Sequence, residues 1–329
     1  MAVFFVHLPF DTGRKIVIDV MPFFFVLSGF LIVYLYYNDE AVKQANFKKY
    51  IVNRFARIYP VYFLLITVAI ICNHNFNLWY IIKNYTLING LFANNTARAI
   101  QPSWSITTEE CFYLAAPFLM YLIRRFNAFT AFLFGVLLLS IALVISTFSF
   151  SFYHGYRFIF AISFPGHFFE FFCGMMLALT VLKKKNNIVY TATNYTALGI
   201  TGIILSIGIL VITNNMNDAE RPVSFFLVNN LLLPIPIAVF YYGLITEKSL
   251  AATVLSIPLM QWLGKASYAF YLLHSIIIDF VGKPFIEILF KNHYNFYVLT
   301  IFAATELIAV AIYYWYEHPL NSWIRKRFR

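Results

Sequence analysis

The sequence predicts an all-α, polytopic integral membrane protein, and three observations carry that prediction. Apolar residues make up 61% of the 329 and charged residues only 12%, about half the charged share of an ordinary soluble domain, so one core cannot hide so much apolar surface. Nine stretches are read as spans, on the requirement of about 20 apolar residues for a helix to cross a bilayer core about 30 Å thick. Lys and Arg fall in short clusters between these stretches, where charges that flank membrane spans belong.

In chain order the expected spans cover residues 16–37, 58–73, 104–123, 128–148, 158–182, 196–213, 225–246, 262–281 and 296–317. The apolar stretch 76–92 carries Asn77, Lys83, Asn84 and Asn89, so it reads as an interfacial or re-entrant helix rather than a crossing. Charge counting supports that choice. With nine crossings, segments 38–57, 124–125, 183–185, 247–265 and 325–329 share one side and hold sixteen of the 24 Lys and Arg, which places them and the C-terminus in the cytoplasm. The opening MAVFFVH reads as the last turns of another apolar helix, a truncated tenth at the N-terminus. No cleavable leader is read there, because a basic start and a small-residue cleavage site are both missing. No internal repeat and no loop large enough for a soluble module is visible, so residues 1–329 are expected to form one transmembrane domain.

Composition also excludes function classes. The net charge of +10 does not point to nucleic acid, because its cations are scattered between spans instead of forming one basic face. Cys72, Cys111 and Cys173 lie in apolar runs, without the spacing of a disulfide framework or a metal site, so no metal is expected. Ionisable groups inside spans are expensive and point to function by default. Here they are His7, Glu109, Glu110, His167, Glu170, His274 and Glu306. Arg54 and Arg57 flank a span from the inner side, and their i, i+3 spacing puts both on one helix face. That arrangement fits either plain cytoplasmic anchoring or bidentate phosphate binding. His7, Glu109, Glu110, His167 and Glu170 are expected in the outer half of the membrane and the two arginines at the inner face, which implies two sites at different depths.

Several motifs then occur in a recognisable order. VHLPFDTGRKIVIDVMPFFFVLSGFLI contains His7 before the second helix. NRFARIYPVY carries Arg54 and Arg57. SWSITTEECFYLAAP holds Trp104, Ser105, Glu109, Glu110, Phe112 and Tyr113. LGKASYAFYLLHSIII holds Gly264, Ser267, Tyr268, Tyr271 and His274, and YEHPL ends on Glu317 and Pro319. Together, over nearly the whole chain, they resemble acyltransferase family 3, bacterial membrane enzymes that O-acylate sugars and cell-surface glycans from acyl-CoA. FPGHFFEFFCGMMLAL resembles a segment in which an arginine often precedes the Glu and Gly; His167 stands in that place here.

The resemblance implies a ten-helix architecture in the bacterial cytoplasmic membrane. It implies that His7 is the catalytic histidine, and acyl transfer from a thioester to a hydroxyl then assigns the other roles. His7 acts as general base, or as a nucleophile that carries the acyl group briefly, and Glu109 or Glu110 orients it. Arg54 and Arg57 hold the phosphates of acyl-CoA, with acetyl-CoA the expected donor. Ser105, Tyr113, His167, Glu170, Tyr271 and His274 are expected to support the substrate or the structure. The expected partners are acyl-CoA, a glycan or lipid-linked sugar acceptor and the lipid bilayer. The rival class, a transporter or flippase of a lipid-linked glycan, would show broken helices in two related halves; Pro234 and Pro236 interrupt one span, but no related halves are visible.

Overall fold

The structure is a computed structural model and describes residues 20–37, 47–92, 98–148, 155–184, 194–214, 223–286 and 294–328. Every regular element among the described residues is helical. In order these are α1 Met21–Tyr36, α2 Phe47–Asn73, α3 Leu78–Tyr85, α4 Ser103–Arg125, α5 Ala128–Thr147, α6 Gly155–Ile162 and α7 Phe164–Lys184. There follow α8 Tyr195–Asn214, α9 Val223–Leu227, α10 Pro234–Thr246, α11 Leu250–Ser256, α12 Pro258–Ile277, α13 Tyr294–Ile312 and α14 His318–Phe328.

Among the described residues, six stretches are both long and apolar enough to cross a membrane: Phe47–Asn73, Ala128–Thr147, Gly155–Lys184, Tyr195–Ile212, Val223–Thr246 and Asn295–Phe328. The other three expected spans are helices in the expected places that fall short of that mark. α1 is apolar, with sixteen described residues. α4 is diluted by Glu109, Glu110, Arg124 and Arg125, and α12 by Gln261, Lys265 and His274. Each of these three helices carries one of the recognisable motifs, while NRFARIYPVY and YEHPL lie on stretches that meet the mark. The expected start of the N-terminal helix, with His7, lies outside the described residues.

α3 has eight residues, about 12 Å of helix, too short to cross. Asn77 caps it, its side-chain oxygen accepting from the backbone N–H groups of Trp79 and Tyr80 at 2.9 and 3.2 Å, which satisfies two of the four amide donors left open at a helix start.

Prolines shape the spans without ending them. Proline cannot donate to the carbonyl four residues earlier. Wide turns of π type cover Val228–Leu232, Ile278–Ile286 and Tyr313–Glu317. Each contains the carbonyl left unserved, by Pro234, Pro284 and Pro319 respectively. In the first, the Leu233 N–H reaches back five residues to the Val228 oxygen at 2.8 Å. The expected 158–182 span is two helices, α6 and α7, separated at Ser163, with Pro165 in the first turn of α7.

The centre of the assembly is the contact of α1 with α7. A β-carbon added at Gly29 would lie 2.1 Å from the Phe171 carbonyl oxygen, and one at Gly174 would lie 2.0 Å from that of Val26. The two backbones therefore touch, as small residues permit in membrane helix pairs. Beside this seam the rings of Phe25 and Phe112 lie 4.8 and 4.2 Å from Phe171. This wall of buried aromatics holds α1, α4 and α7 together.

Candidate active site

The site is set by the register of α2 against α4. Pro117 leaves the Tyr113 carbonyl without its helical donor, and the Tyr50 hydroxyl donates to that oxygen at 2.7 Å. Further along, the Asn89 amide donates to the Ser103 hydroxyl at 3.0 Å and reaches the Tyr62 hydroxyl at 3.4 Å. Tyr50 therefore pairs with Tyr113 and Tyr62 with Ser103, so the helices run antiparallel and residues 54–57 stand level with residues 107–110.

This corrects the expectation of two depths. Arg54 and Arg57 do not sit below the carboxylates; they share a layer with Glu109. The reason is the length of α2, which starts at Phe47 rather than near residue 58 and carries both arginines inside the helix.

Within that layer Glu109 is 4% exposed. Its Oε1 accepts the Ser28 hydroxyl at 2.7 Å and the Tyr113 hydroxyl. The Arg54 guanidinium lies between the rings of Tyr36 and Tyr113, 5.4 Å from each centroid, and donates to the Tyr36 hydroxyl at 3.2 Å. Its Nε is buried without a partner. Arg54, Tyr113, Glu109 and Ser28 thus form one chain of contacts across α2, α4 and α1. Asn53 braces it by donating to the same Tyr36 hydroxyl at 3.1 Å.

Arg57 is arranged differently. Its Nη1 donates to Glu317 Oε1 at 2.7 Å; its side chain is 41% exposed, while that of Glu317 is 1% exposed. The guanidinium lies 5.7 Å from the Tyr268 ring, whose hydroxyl donates to the Ile58 carbonyl at 3.0 Å. The wide turn before Pro319 delivers Glu317 to this contact. One arginine is therefore enclosed by aromatic rings, and the other keeps an open face. Glu110, next to Glu109, is half-buried and has one carboxylate oxygen buried without a partner.

The remaining expected residues form a second set of contacts around the start of α4. The Ser105 and Tyr271 hydroxyls are 2.6 Å apart, and Tyr271 also donates to the Pro102 carbonyl at 2.9 Å. His167 Nδ1 lies 2.9 Å from Glu170 Oε1, with both side chains fully buried. The His167 ring packs 5.0 Å from Phe25 and 5.7 Å from Trp104, which ties this pair to the same wall of aromatics. His274 is buried against Phe270 and Tyr271. His7 lies outside the described residues.

Three contributors were not singled out from the sequence: Ser28, Tyr36 and Tyr50; Tyr268 stood in a motif but without an assigned role. Ser28 had a signal, a hydroxyl inside the FFVLSGFLI motif. Tyr36 and Tyr50 had none, because 23 tyrosines are spread along the chain.

The arrangement offers a buried carboxylate held by two hydroxyls, an enclosed arginine beside it, and an open arginine at the same level. A family profile described as "Acyltransferase domain" matches residues 20–314. The peptidoglycan O-acetyltransferase OatA of Listeria monocytogenes serovar 1/2a (strain ATCC BAA-679 / EGD-e) is 24% identical over 353 residues, covering 98% of this chain and 54% of that protein. The chain therefore spans about half the length of that relative. No solved structure matches it. The profile match takes in α1, α2 and α4, which carry Ser28, Arg54, Arg57 and Glu109, and the chain belongs to acyltransferase family 3 as a multi-pass membrane protein.

Proposed function

We propose that this protein is an O-acyltransferase that moves an acyl group, acetyl in the first instance, from cytoplasmic acyl-CoA to a hydroxyl of a cell-surface or lipid-linked polysaccharide or sugar. The observation that carries the proposal is the layer in which Glu109, fixed by Ser28 and Tyr113, stands level with Arg54 and Arg57. Acyl transfer needs a base, a place for developing negative charge, and a grip on the donor; this layer offers positive charge for the second, an exposed guanidinium for the third and carboxylates to orient the first.

In the proposed reaction His7 takes the acceptor hydroxyl proton as its oxygen attacks the thioester carbonyl. The tetrahedral intermediate collapses, the C–S bond breaks, and the imidazolium returns the proton to the departing thiolate. Glu109 Oε1 already holds two hydroxyl donors, so the open oxygen of Glu110 is the better acceptor for a histidine N–H. Arg57, with its exposed face, takes a phosphate of the donor. Arg54, enclosed and beside Glu109, contributes fixed positive charge to the reacting layer. This reading has nine full spans, a further N-terminal helix bearing His7, a bacterial cytoplasmic membrane and a cytoplasmic C-terminus.

The test uses purified protein in lipid vesicles with labelled acetyl-CoA and peptidoglycan fragments as acceptor. Ester-linked label is expected on the acceptor and is expected to vanish with His7→Ala. Undiminished transfer by that variant sinks the assignment of the base. Absence of transfer by the wild-type protein to any of a panel of glycans sinks the function.

A further inference from the structure

A groove outside the carboxylate and arginine layer has the features of a lipid site. It runs between α7 and α10, with a volume of about 440 Å³. Phe169, Phe172 and Met176 line it from α7, and Ile235, Ala238 and Val239 from α10. The spacing of these residues puts them on one face of each helix. The apolar part follows α7 from Phe169 to Thr180, about 16 Å of helix rise, against about 15 Å for half a bilayer core.

Its polar end is built from three elements. Lys184, in the last turn of α7, donates to the Tyr242 hydroxyl at 2.9 Å, and its ammonium lies 5.4 Å from the Tyr242 ring. Tyr195, at the start of α8, packs edge-on against Tyr242 at 5.0 Å. Lys183 precedes Lys184 and is also exposed. The groove therefore ends in positive charge and phenol hydroxyls, one leaflet's depth from its apolar end.

We propose that this groove binds an anionic phospholipid, with an acyl chain along α7 and α10 and the phosphate at Lys184 and Tyr242. Charge decides the occupant: a zwitterionic head group brings its own cation to a site that already has one, whereas an anionic head group leaves the lysine neutralised. The proposal is independent of the acyl-transfer reading, because none of these residues has a role in it.

Native mass spectrometry of the protein in detergent, after exchange into equal amounts of phosphatidylglycerol and phosphatidylcholine, tests it. Phosphatidylglycerol is expected to be retained about fivefold better, the ratio one lysine at a membrane surface provides. Lys184→Gln is expected to remove that preference without changing the melting temperature of the lipid-free protein. Ala238→Phe, which fills the apolar part, is expected to lower retention of both lipids, and inorganic phosphate is expected not to compete. Equal retention of the two lipids by the wild type, an unchanged preference in Lys184→Gln, displacement by inorganic phosphate alone, or cross-linking of the groove to a second copy of the chain overturns the proposal.

Discussion

The α6–α7 stretch and α5 are both apolar and both long enough to span a membrane, yet the chain uses them in opposite ways. In the most apolar part of each, 56% of the residues of the first are buried inside the protein and 17% of those of the second. α7 is pressed backbone to backbone against α1 and carries His167 and Glu170 inward. α5 turns Leu133, Leu137 and Val144 outward and asks little more of its surroundings than oil. Apolarity alone therefore does not distinguish a wall of the site from a shield around it; close approach and paired polar groups do. The share buried also separates α2, at 50%, from α8 and α13, at 22% each, although α8 closes tightly on α10 at Gly199.

The comparison is broken most directly at Glu109. Glu109→Ala leaves the Ser28 and Tyr113 hydroxyls without their shared acceptor and is expected to lower acyl transfer by about 100-fold or more, the range found for fixed electrostatic groups at reacting centres. Leu137→Ala on the exposed face of α5 is expected to leave the rate unchanged; equal losses in the two variants would erase the distinction drawn between these regions.

Glycines sharpen it next. Gly174→Ala places a methyl group against backbone that has no rotamer with which to yield, and is expected to destabilise by about 1–3 kcal/mol, seen as a lower melting temperature in detergent. Gly208→Ala in α8 meets nothing within 4 Å and is expected to be neutral or to stabilise by up to about 1 kcal/mol. If both fall equally, close packing is not what sets α7 apart.

The Arg57 contact gives a smaller effect. Glu317→Gln removes the carboxylate that holds the guanidinium at 2.7 Å and is expected to raise the donor KM about three- to tenfold with little change in kcat, since a weaker grip on the donor affects binding before and during the reaction alike. Glu317→Asp is expected to recover part of that loss. A fall in kcat alone would place Glu317 in the chemistry instead.

The smallest effect lies outside the spans. Glu247, just after α10, takes the side-chain and backbone donors of Thr196 and the backbone N–H of Tyr195 at the start of α8. Desolvation pushes its carboxyl up, but the hydrogen bonds from Thr196 and Tyr195 outweigh that and hold it below its ordinary value of 4.5. A depressed carboxyl contributes stability that is present above the unfolded value and lost as pH falls through the folded one. Melting temperatures recorded from neutral pH down past 4.5 are therefore expected to fall slightly less steeply in Glu247→Gln than in the wild type.

Much of the helical framework is legible in the sequence, because runs of apolar residues locate helices wherever lipid or a neighbouring helix covers them. The start of α2 is not, because Lys48, Lys49, Arg54 and Arg57 make residues 47–57 read as a loop although nothing in them prevents helix. The break at Ser163 is hidden because apolarity runs straight through it. At the site, Glu109 and Glu110 stand out because charge within a span is expensive, and Arg54 and Arg57 because of their i, i+3 spacing and the motif that carries them. Their common level does not, because counting charges finds the ends of helices and not which side chains meet. Ser28 and the tyrosines that complete the layer have side chains that a membrane helix tolerates anywhere, so only their hydrogen bonds distinguish them.

The carbonyl of Tyr113 gives Pro117 an unusual meaning. A proline inside a helix is ordinarily counted as a defect, yet here the missing amide hydrogen leaves an acceptor that the Tyr50 hydroxyl from another helix takes up. Replacing it with alanine would mend the ladder of α4 and, by doing so, set a local donor in competition with the Tyr50 hydroxyl. The better helix would be the looser partner, and the residue that interrupts the ladder of α4 is the one that lets α2 latch onto it.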